Sequence, residues 1–169
     1  GEQAMAWMLD EYEQITGHHC PAAINDKPPI LGGSVGGEEA TGRGVFLTLI
    51  AAAEDMGLEV SKSTAVVQGF GQVGSHLAAL LHETGCRIVA VSDVRGGIYT
   101  ADGIDIPALN TQVKDTGSVA NFPDSEPLDN EHIFGIACDI AVPAAVHSVI
   151  HKSNADSVKA RLIVEGANG

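Results

Sequence analysis

The chain has 169 residues, 44% of them hydrophobic and 18% charged, which is enough for one domain with a buried core and too apolar for a disordered segment. Its 22 acidic and 9 basic residues leave a formal net charge of −13, which argues against a nucleic-acid partner and fits either an ordinary solvated acidic surface or a salt-adapted organism. No apolar run approaches the ~20 residues that span a bilayer, no secretory leader is read at the start, and neither end reads as a natural terminus.

The opening stretch reads as a helix, with Met5, Met8, Leu9, Tyr12 and Ile15 on one face and Gly17 placed to end it. Residues 18–40 read as a loop carrying Pro21, Pro28, Pro29 and four glycines, and irregular loops of that length are often functional. His18, His19 and Cys20 stand here, but adjacent residues rarely converge on one ion, so no metal site is expected. The cysteines, Cys20, Cys86 and Cys138, lack any C-x-x-C spacing; an odd, dispersed set points to a reducing compartment and a cytoplasmic protein. A second helix is expected from about Thr41 to Met56, with Val45, Phe46, Leu49, Ile50 and Ala53 inward and Gly57 at its end.

The pattern then changes period. Thr64, Ala65, Val66 and Val67 read as a short buried strand, Gly69 to Gly74 as a glycine-rich turn, and Val73, Leu77, Leu80 and Leu81 as a helical stripe closed by Gly85. Ile88, Val89, Ala90 and Val91 read as a second buried strand. Further on, a helix is expected from about Pro107, a strand near residues 138–142, a helix near 147–151 and a strand at 162–164. Strands alternating with helices imply an α/β fold with a doubly wound, mostly parallel sheet, all 169 residues forming one domain with the first helix as its linking element.

Within that frame Gly69-Phe70-Gly71-Gln72-Val73-Gly74 is G-x-G-x-x-G between a strand and a helix, and Asp93 ends the next strand. In this context the pattern reads as the phosphate-binding turn of a Rossmann-type dinucleotide-binding domain. Gly69 permits the tight turn, Gly71 lets the backbone approach a pyrophosphate, and Gly74 lets helix and strand pack closely. The helix N-terminus offers N–H groups to the phosphates, and Asp93 can accept hydrogen bonds from ribose hydroxyls. The alternative is a glycine turn in a non-binding α/β protein, with Asp93 merely ending a strand.

Other segments carry a resemblance to a known family. Gly32-Gly33-Ser34 followed by Glu39-Ala40-Thr41-Gly42-Arg43-Gly44, Met5-Ala6-Trp7-Met8 with Asp10-Glu11-Tyr12, Cys138-Asp139-Ile140 with Pro143-Ala144-Ala145, and the closing Glu165-Gly166-Ala167-Asn168-Gly169 resemble the signatures of glutamate dehydrogenases, in order and along essentially the whole chain. Leucine, phenylalanine and valine dehydrogenases are the second choice, since leucine and phenylalanine dehydrogenases usually lack A-T-G-R-G. The resemblance implies the cofactor-binding domain of an enzyme that deaminates an amino acid to a 2-oxo acid, reversibly, with hydride transfer to NAD, NADP being possible. It also implies a homo-oligomeric, hexameric full-length protein, and the charge and hydropathy above leave no nucleic-acid or membrane partner expected. By position, Phe70, Gly71, Gln72 and Val73 would line the pyrophosphate, Asp93 and Val94 the adenosine ribose, and Ala144, Ala145 and Asn168 the nicotinamide half. Thr41, at a helix N-terminus, would meet the nicotinamide amide. Thr41 as a plain N-cap, Asn168 as a left-handed turn residue and Arg43 as a surface ion pair remain open readings.

The sequence departs from the family at two points. Gln72 stands where asparagine is common, and Gly37 where an arginine close to the substrate is often found, although a dicarboxylate needs cationic partners. The family's catalytic lysines and aspartate belong to a separate substrate domain, so no catalytic residue is expected here. Glu38 and Glu39 read as solvated loop residues, and Lys27, ahead of two prolines, as facing water. A regulatory nucleotide-sensing module or a purely structural α/β domain are the rival readings.

Overall fold

A computed structural model describes residues 1–168; Gly169, which closes the Glu165-Gly166-Ala167-Asn168-Gly169 segment, lies outside the described residues, as does the side chain of Glu38. The chain divides into two compact units, Gly1–Ala40 and Thr41–Gly169.

In the first unit, helix α1 (Glu2–Thr16) ends where Gly17 turns left-handed at φ 72° and donates its N–H to Glu13 O. Only glycine adopts that conformation without strain, which is why the helix stops there. Of the expected inward face only Leu9 is buried; Met8, Tyr12 and Ile15 are exposed. The loop after α1 is fastened by Glu13, whose carboxylate accepts from the Cys20 N–H at 2.8 Å and meets His19 Nδ1 at 2.7 Å. It contains one short 3-10 turn, Pro29–Leu31. Lys27 does not face water. Its side chain is 6% exposed, and its ammonium donates to Ile24 O at 2.8 Å. A β-carbon on Gly33 would run into the Lys27 carbonyl, so the loop folds back closely on its own backbone around this lysine.

Helix α2 (Gly37–Asp55) begins four residues before the expected start. Gly36, at φ 83°, ends the loop, and Glu39 in the first turn suits the positive end of the helix dipole. Thr41 is therefore a full turn inside the helix and is not its cap, and residues 38 and 39 are helical rather than loop.

The second unit is built on a six-stranded sheet. Its strands are β1 (Thr64–Gln68), β2 (Arg87–Asp93), β3 (Gly96–Tyr99), β4 (Glu126–Leu128), β5 (Ile140–Pro143) and β6 (Leu162–Ile163), in the order β4-β3-β2-β1-β5-β6. The β1–β2, β1–β5 and β5–β6 ladders are parallel, as expected, while β3 and β4 form an antiparallel margin beyond β2. Helices α3 (Gln72–Glu83) and α4 (Ile106–Thr116) connect these strands. The central strand is apolar throughout its middle because it is covered on both faces. Leu49, Ala53, Leu77, Leu81, Ile106 and Leu109 of the helices pack with Ala65, Val67, Ile140 and Val142 in the larger core. Val66, Ala90 and Ala141 pack with Ile133, Phe134, Val149 and Val158 in the smaller one.

No helix forms at residues 147–151, contrary to the reading of the sequence; the segment is bends and turns with Ser148 at φ 58°. Asn154 explains the difference. Its Oδ1 accepts from His151 N at 2.7 Å and its Nδ2 donates to Val149 O at 2.8 Å, so backbone groups a helix would need are taken by a side chain.

Candidate functional site

The loops after β1, β2 and β5 carry most of the expected site residues, and all three open at one edge of the sheet. Gln68, the last residue of β1, pairs with Ser92 of β2 on one side and Pro143 of β5 on the other. Gly69 follows β1, Asp93 closes β2, and Ala144 follows β5. Two bonds tie these ends together: Gly69 N–H to Ser92 O at 2.8 Å and Ala144 N–H to Gln68 O at 2.7 Å. The strand order reverses here, running out from β1 through β2 and resuming at β5 on the opposite side. Open α/β sheets bind ligands in the crevice beyond the carboxyl ends of their strands at such a reversal.

The three glycines of the turn answer to different demands. Gly69 has φ 93°, and a β-carbon on it would lie 2.6 Å from Ala144 O. A β-carbon on Gly74 would strike the Gly69 carbonyl. Both are required by the fold. Gly71 is different: its φ is −80°, open to any residue, and a β-carbon there would meet nothing within 4 Å. The fold places no demand for glycine at this point, which stands directly before α3. No side chain caps α3, so its first N–H groups and the positive end of its dipole face the same open space. Phe70 is 6% exposed and packs into the larger core, so only its main chain is available to the crevice. Gln72 is exposed and Val73 half-buried.

Asp93 is held firmly. Its Oδ1 accepts from Arg95 N at 2.7 Å and its Oδ2 from Val119 N at 2.7 Å, and its own carbonyl accepts from Asn130 Nδ2 at 2.8 Å. A carboxylate offers about four acceptor sites, so two bonds leave it able to accept more. Val94 beside it is 97% exposed. The Arg95 guanidinium turns back to Thr116 O at 3.4 Å.

On the other flank, Gly166 N and Ala167 N both donate to Pro143 O, at 2.7 and 3.1 Å. A β-carbon on Gly166 would lie 3.1 Å from Val73 Cγ1, 3.3 Å from Val45 Cγ2 and 3.6 Å from Ala144 Cβ. Gly166 thereby lies close against the first turn of α3, and Asn168, two residues on, is exposed. Gly42 makes the matching approach from α2, its position lying against Val73 O and His76. Exposed Thr41 precedes it by one residue. Cys138 and Asp139 stand at the opposite edge of the sheet, where the Asp139 carboxylate accepts from Thr64 N at 2.9 Å and Thr64 Oγ1 at 3.1 Å. Asp139 thereby fastens the entry of β5 to the start of β1.

Sequence reasoning missed a polar group at the carboxyl edge. Among the described residues, the buried side-chain polar atoms without a partner are Gln68 Oε1, Ser92 Oγ and Asn130 Oδ1. All three belong to the ends of β1 and β2 or to the residue that bonds Asp93 O. Such groups cost about 1–3 kcal/mol each, and their gathering at the edge that carries the turn and Asp93 marks it as shaped for something besides packing. Only the polar residue types at two strand ends signal them in the sequence. The Val119 N–H bond to Asp93, spanning 26 residues, has no local signal at all.

The chain carries little that could do chemistry. Burial, with the Asp139 charge nearby, pushes the Cys86 thiol up to about 12 and Cys138 up to about 11, so neither supplies a thiolate near neutrality. Lys62, Lys114, Lys152 and Lys159 are exposed. Among the described residues, no group of three or more metal-ligating side chains occurs and no helix is long and apolar enough to cross a membrane.

Comparison with known proteins gives a consistent set of matches. Residues 32–169 match the family model for glutamate/leucine/phenylalanine/valine dehydrogenases. The chain is 46% identical over 167 residues to an NADP-specific glutamate dehydrogenase of Saccharolobus shibatae, covering 99% of the chain and 40% of that protein. It is 40% identical over 167 residues to a cryptic catabolic NAD-specific glutamate dehydrogenase of Bacillus subtilis, covering 99% of the chain and 39% of that protein. Among solved structures, the hetero-hexameric glutamate dehydrogenase of Thermus thermophilus in its leucine-bound form superposes with a TM-score of 0.90 at 36% identity, covering 99% of the chain and 39% of that chain. The chain spans about two fifths of the length of the curated relatives it matches.

Proposed function

Because this chain belongs to the glutamate/leucine/phenylalanine/valine dehydrogenase family, we propose that it is the dinucleotide-binding domain, residues 1–169 with α1 as linking helix, of a glutamate dehydrogenase that reversibly deaminates glutamate to 2-oxoglutarate and ammonia. The observation that carries the reading is Gly71, a glycine the fold does not need, set before an uncapped helix at the reversal of the strand order. The names of the relatives favour glutamate over leucine, phenylalanine or valine.

The residues present fit a nicotinamide dinucleotide. The main chain of residues 70–73 would bind the pyrophosphate, with Gly69 and Gly74 shaping the turn. Asp93 would accept from the adenosine ribose beside Val94, and Ala144, Ala145, Asn168 and Thr41 would line the nicotinamide half. When bound, the dinucleotide supplies the hydride acceptor. A 2′-phosphate would meet the fixed negative charge of Asp93, so NAD is the preferred form; the Arg95 guanidinium, turned back to Thr116 O, is not directed to offset that charge. Oxidative deamination also needs a base and a cation to stabilise charge developing on oxygen. Four of the five lysines are solvated, and Lys27 is held on Ile24 O, so those groups come from the rest of the polypeptide. The full-length enzyme is expected to be a cytoplasmic homo-hexamer.

The test is calorimetry and steady-state assay on the full-length enzyme. Wild type should bind NADH more tightly than NADPH and form NADH with glutamate in preference to leucine, phenylalanine and valine. Gly71→Val should fold and lose the binding. Equal cofactor binding by Gly71→Val would remove the turn from the site, and turnover confined to another amino acid would remove glutamate.

A further inference from the structure

The bond between Val119 N and Asp93 Oδ2 links the acid at the end of β2 to the turn that follows α4, and that turn is tied back to α4 by the Gln112 side chain. Gln112, on α4, is aimed at the carbonyls of Ser118, Val119 and Ala120, at 3.3, 3.5 and 3.1 Å. Three carbonyl acceptors around one amide end require that end to be the NH2 group. The rest of the turn is equally constrained. Gly117 turns left-handed at φ 75° and closes α4 on Val113 O. Thr116 Oγ1 accepts from Ser118 N at 3.3 Å and reaches Ser118 O at 3.1 Å, and Ser118 Oγ accepts from Ala120 N at 3.1 Å. Ser118 is 3% exposed and Val119 fully buried.

We propose that Gln112 is a positioning residue for cofactor selectivity: through the turn at residues 116–120 it fixes the Val119 N–H, which fixes the Asp93 carboxylate. This rests on the cofactor-binding role assigned to Asp93 above. A carboxylate free to rotate can swing away from an incoming 2′-phosphate and lower the repulsion. One held on both oxygens, by Arg95 N and Val119 N, keeps its charge at one place. It still accepts from a 2′-hydroxyl, because neither bond uses up an oxygen's acceptor capacity. Discrimination against the extra phosphate therefore depends on how rigidly the acid is held as well as on its presence. Charge-assisted bonds to main-chain N–H groups are the strong kind suited to holding it.

The experiment measures dissociation constants for NADH and NADPH by fluorescence titration, with melting temperatures, in the full-length enzyme and three variants. Gln112→Met keeps the length of the side chain and removes its donor. Thr116→Val loosens the same turn through a different bond. Thr111→Val is the control, since the exposed Thr111 hydroxyl donates to Pro107 O at 3.1 Å, back along the same helix. The ratio of the NADPH to the NADH dissociation constant should fall about tenfold in Gln112→Met, fall in the same direction in Thr116→Val, and stay at the wild-type value in Thr111→Val. A wild-type ratio in both turn variants, whatever their melting temperatures, would overturn the proposal and leave the cofactor-binding role intact. A wild type that favours NADPH would also overturn it. A wild type that binds neither dinucleotide would overturn the functional reading itself.

Discussion

Gly42 of α2 and His76 of α3 approach so closely that a β-carbon on Gly42 would lie 2.9 Å from His76 Cβ and 2.9 Å from the Val73 carbonyl oxygen. Gly42 is the first glycine of the A-T-G-R-G segment, and here it does a packing job: it lets two helix backbones meet directly behind the glycine-rich turn.

Gly42→Ala should therefore destabilise the protein. Helix propensity alone would favour alanine by about 1 kcal/mol, while overfilling a tight contact costs about 1–3 kcal/mol. The expected result is a net loss of ~1 kcal/mol, or a fall in melting temperature of about 2–4 °C for a chain of this size. Denaturant titration against wild type checks it. A stability equal to or above wild type would show that the helices separate to admit the methyl group.

The glycines of the turn should separate by mutation. Gly71→Ala should melt within about 1 °C of wild type, because its β-carbon enters open space. It should weaken NADH binding by about tenfold or more, by standing where the backbone has to approach a pyrophosphate. Gly74→Ala should lose several kcal/mol or fail to fold, since its β-carbon strikes the Gly69 carbonyl. Thermal melts and NADH titration of the two variants settle the contrast. A severe loss of stability in Gly71→Ala would show that the open space beside it is not open in solution.

The strand, turn and strand end that frame the candidate site are legible in the sequence because they are encoded locally. Ala65-Val66-Val67 is a buried strand, the glycines that follow cannot continue it, and Asp93 stands at the end of the next apolar run. Elements set by distant contacts were not legible. Gly96, Gly97, Ile98 and Tyr99 form a strand only because β2 offers them an antiparallel partner, and Pro127 sits in the middle of β4. The apolar residues near 147–151 suggested a helix, yet the Asn154 side chain claims the backbone first. Thr41 is a good cap by type and points to a start of α2 one turn too late, while Gly36 is the residue that breaks the loop. Lys27 was read as solvated from its prolines; the close return of the chain at Gly33 buries it.

Stability should fall in mildly alkaline solution. The Cys86 thiol is neutral in the fold, its pKa raised from 9.0 to about 12, mainly by burial. The unfolded chain releases that proton first, so the stabilisation is complete below pH 9 and is lost progressively as pH climbs from 9 towards 12. Cys86→Ala should show a shallower decline over that window in denaturant titrations. In the native protein at pH 8, iodoacetamide should leave Cys86 unmodified. An unchanged alkaline slope in Cys86→Ala would assign the decline to other groups.

Added salt should stabilise the protein if its charge is an adaptation to brine. With a net charge of −13, repulsion among surface carboxylates opposes the compact state, and KCl shortens its reach from about 30 Å at 0.01 M to about 3 Å at 1 M. Melting temperature should rise steadily across that range. A flat or falling curve would leave an acidic surface with no thermodynamic tie to salt.

The antiparallel margin of the sheet bears on how copies of this chain can associate. β4 has three residues, and its central one is Pro127, which has no N–H to donate to a further strand. Its flanking residue Glu126 is exposed, placing a charge on the same rim. Edge strands with open donors invite another chain to extend the sheet, a route to aggregation that proline and charge close off. On this side the sheet is blunted against continuation from one copy into the next, which favours assembly here through side-chain contacts over shared β-structure.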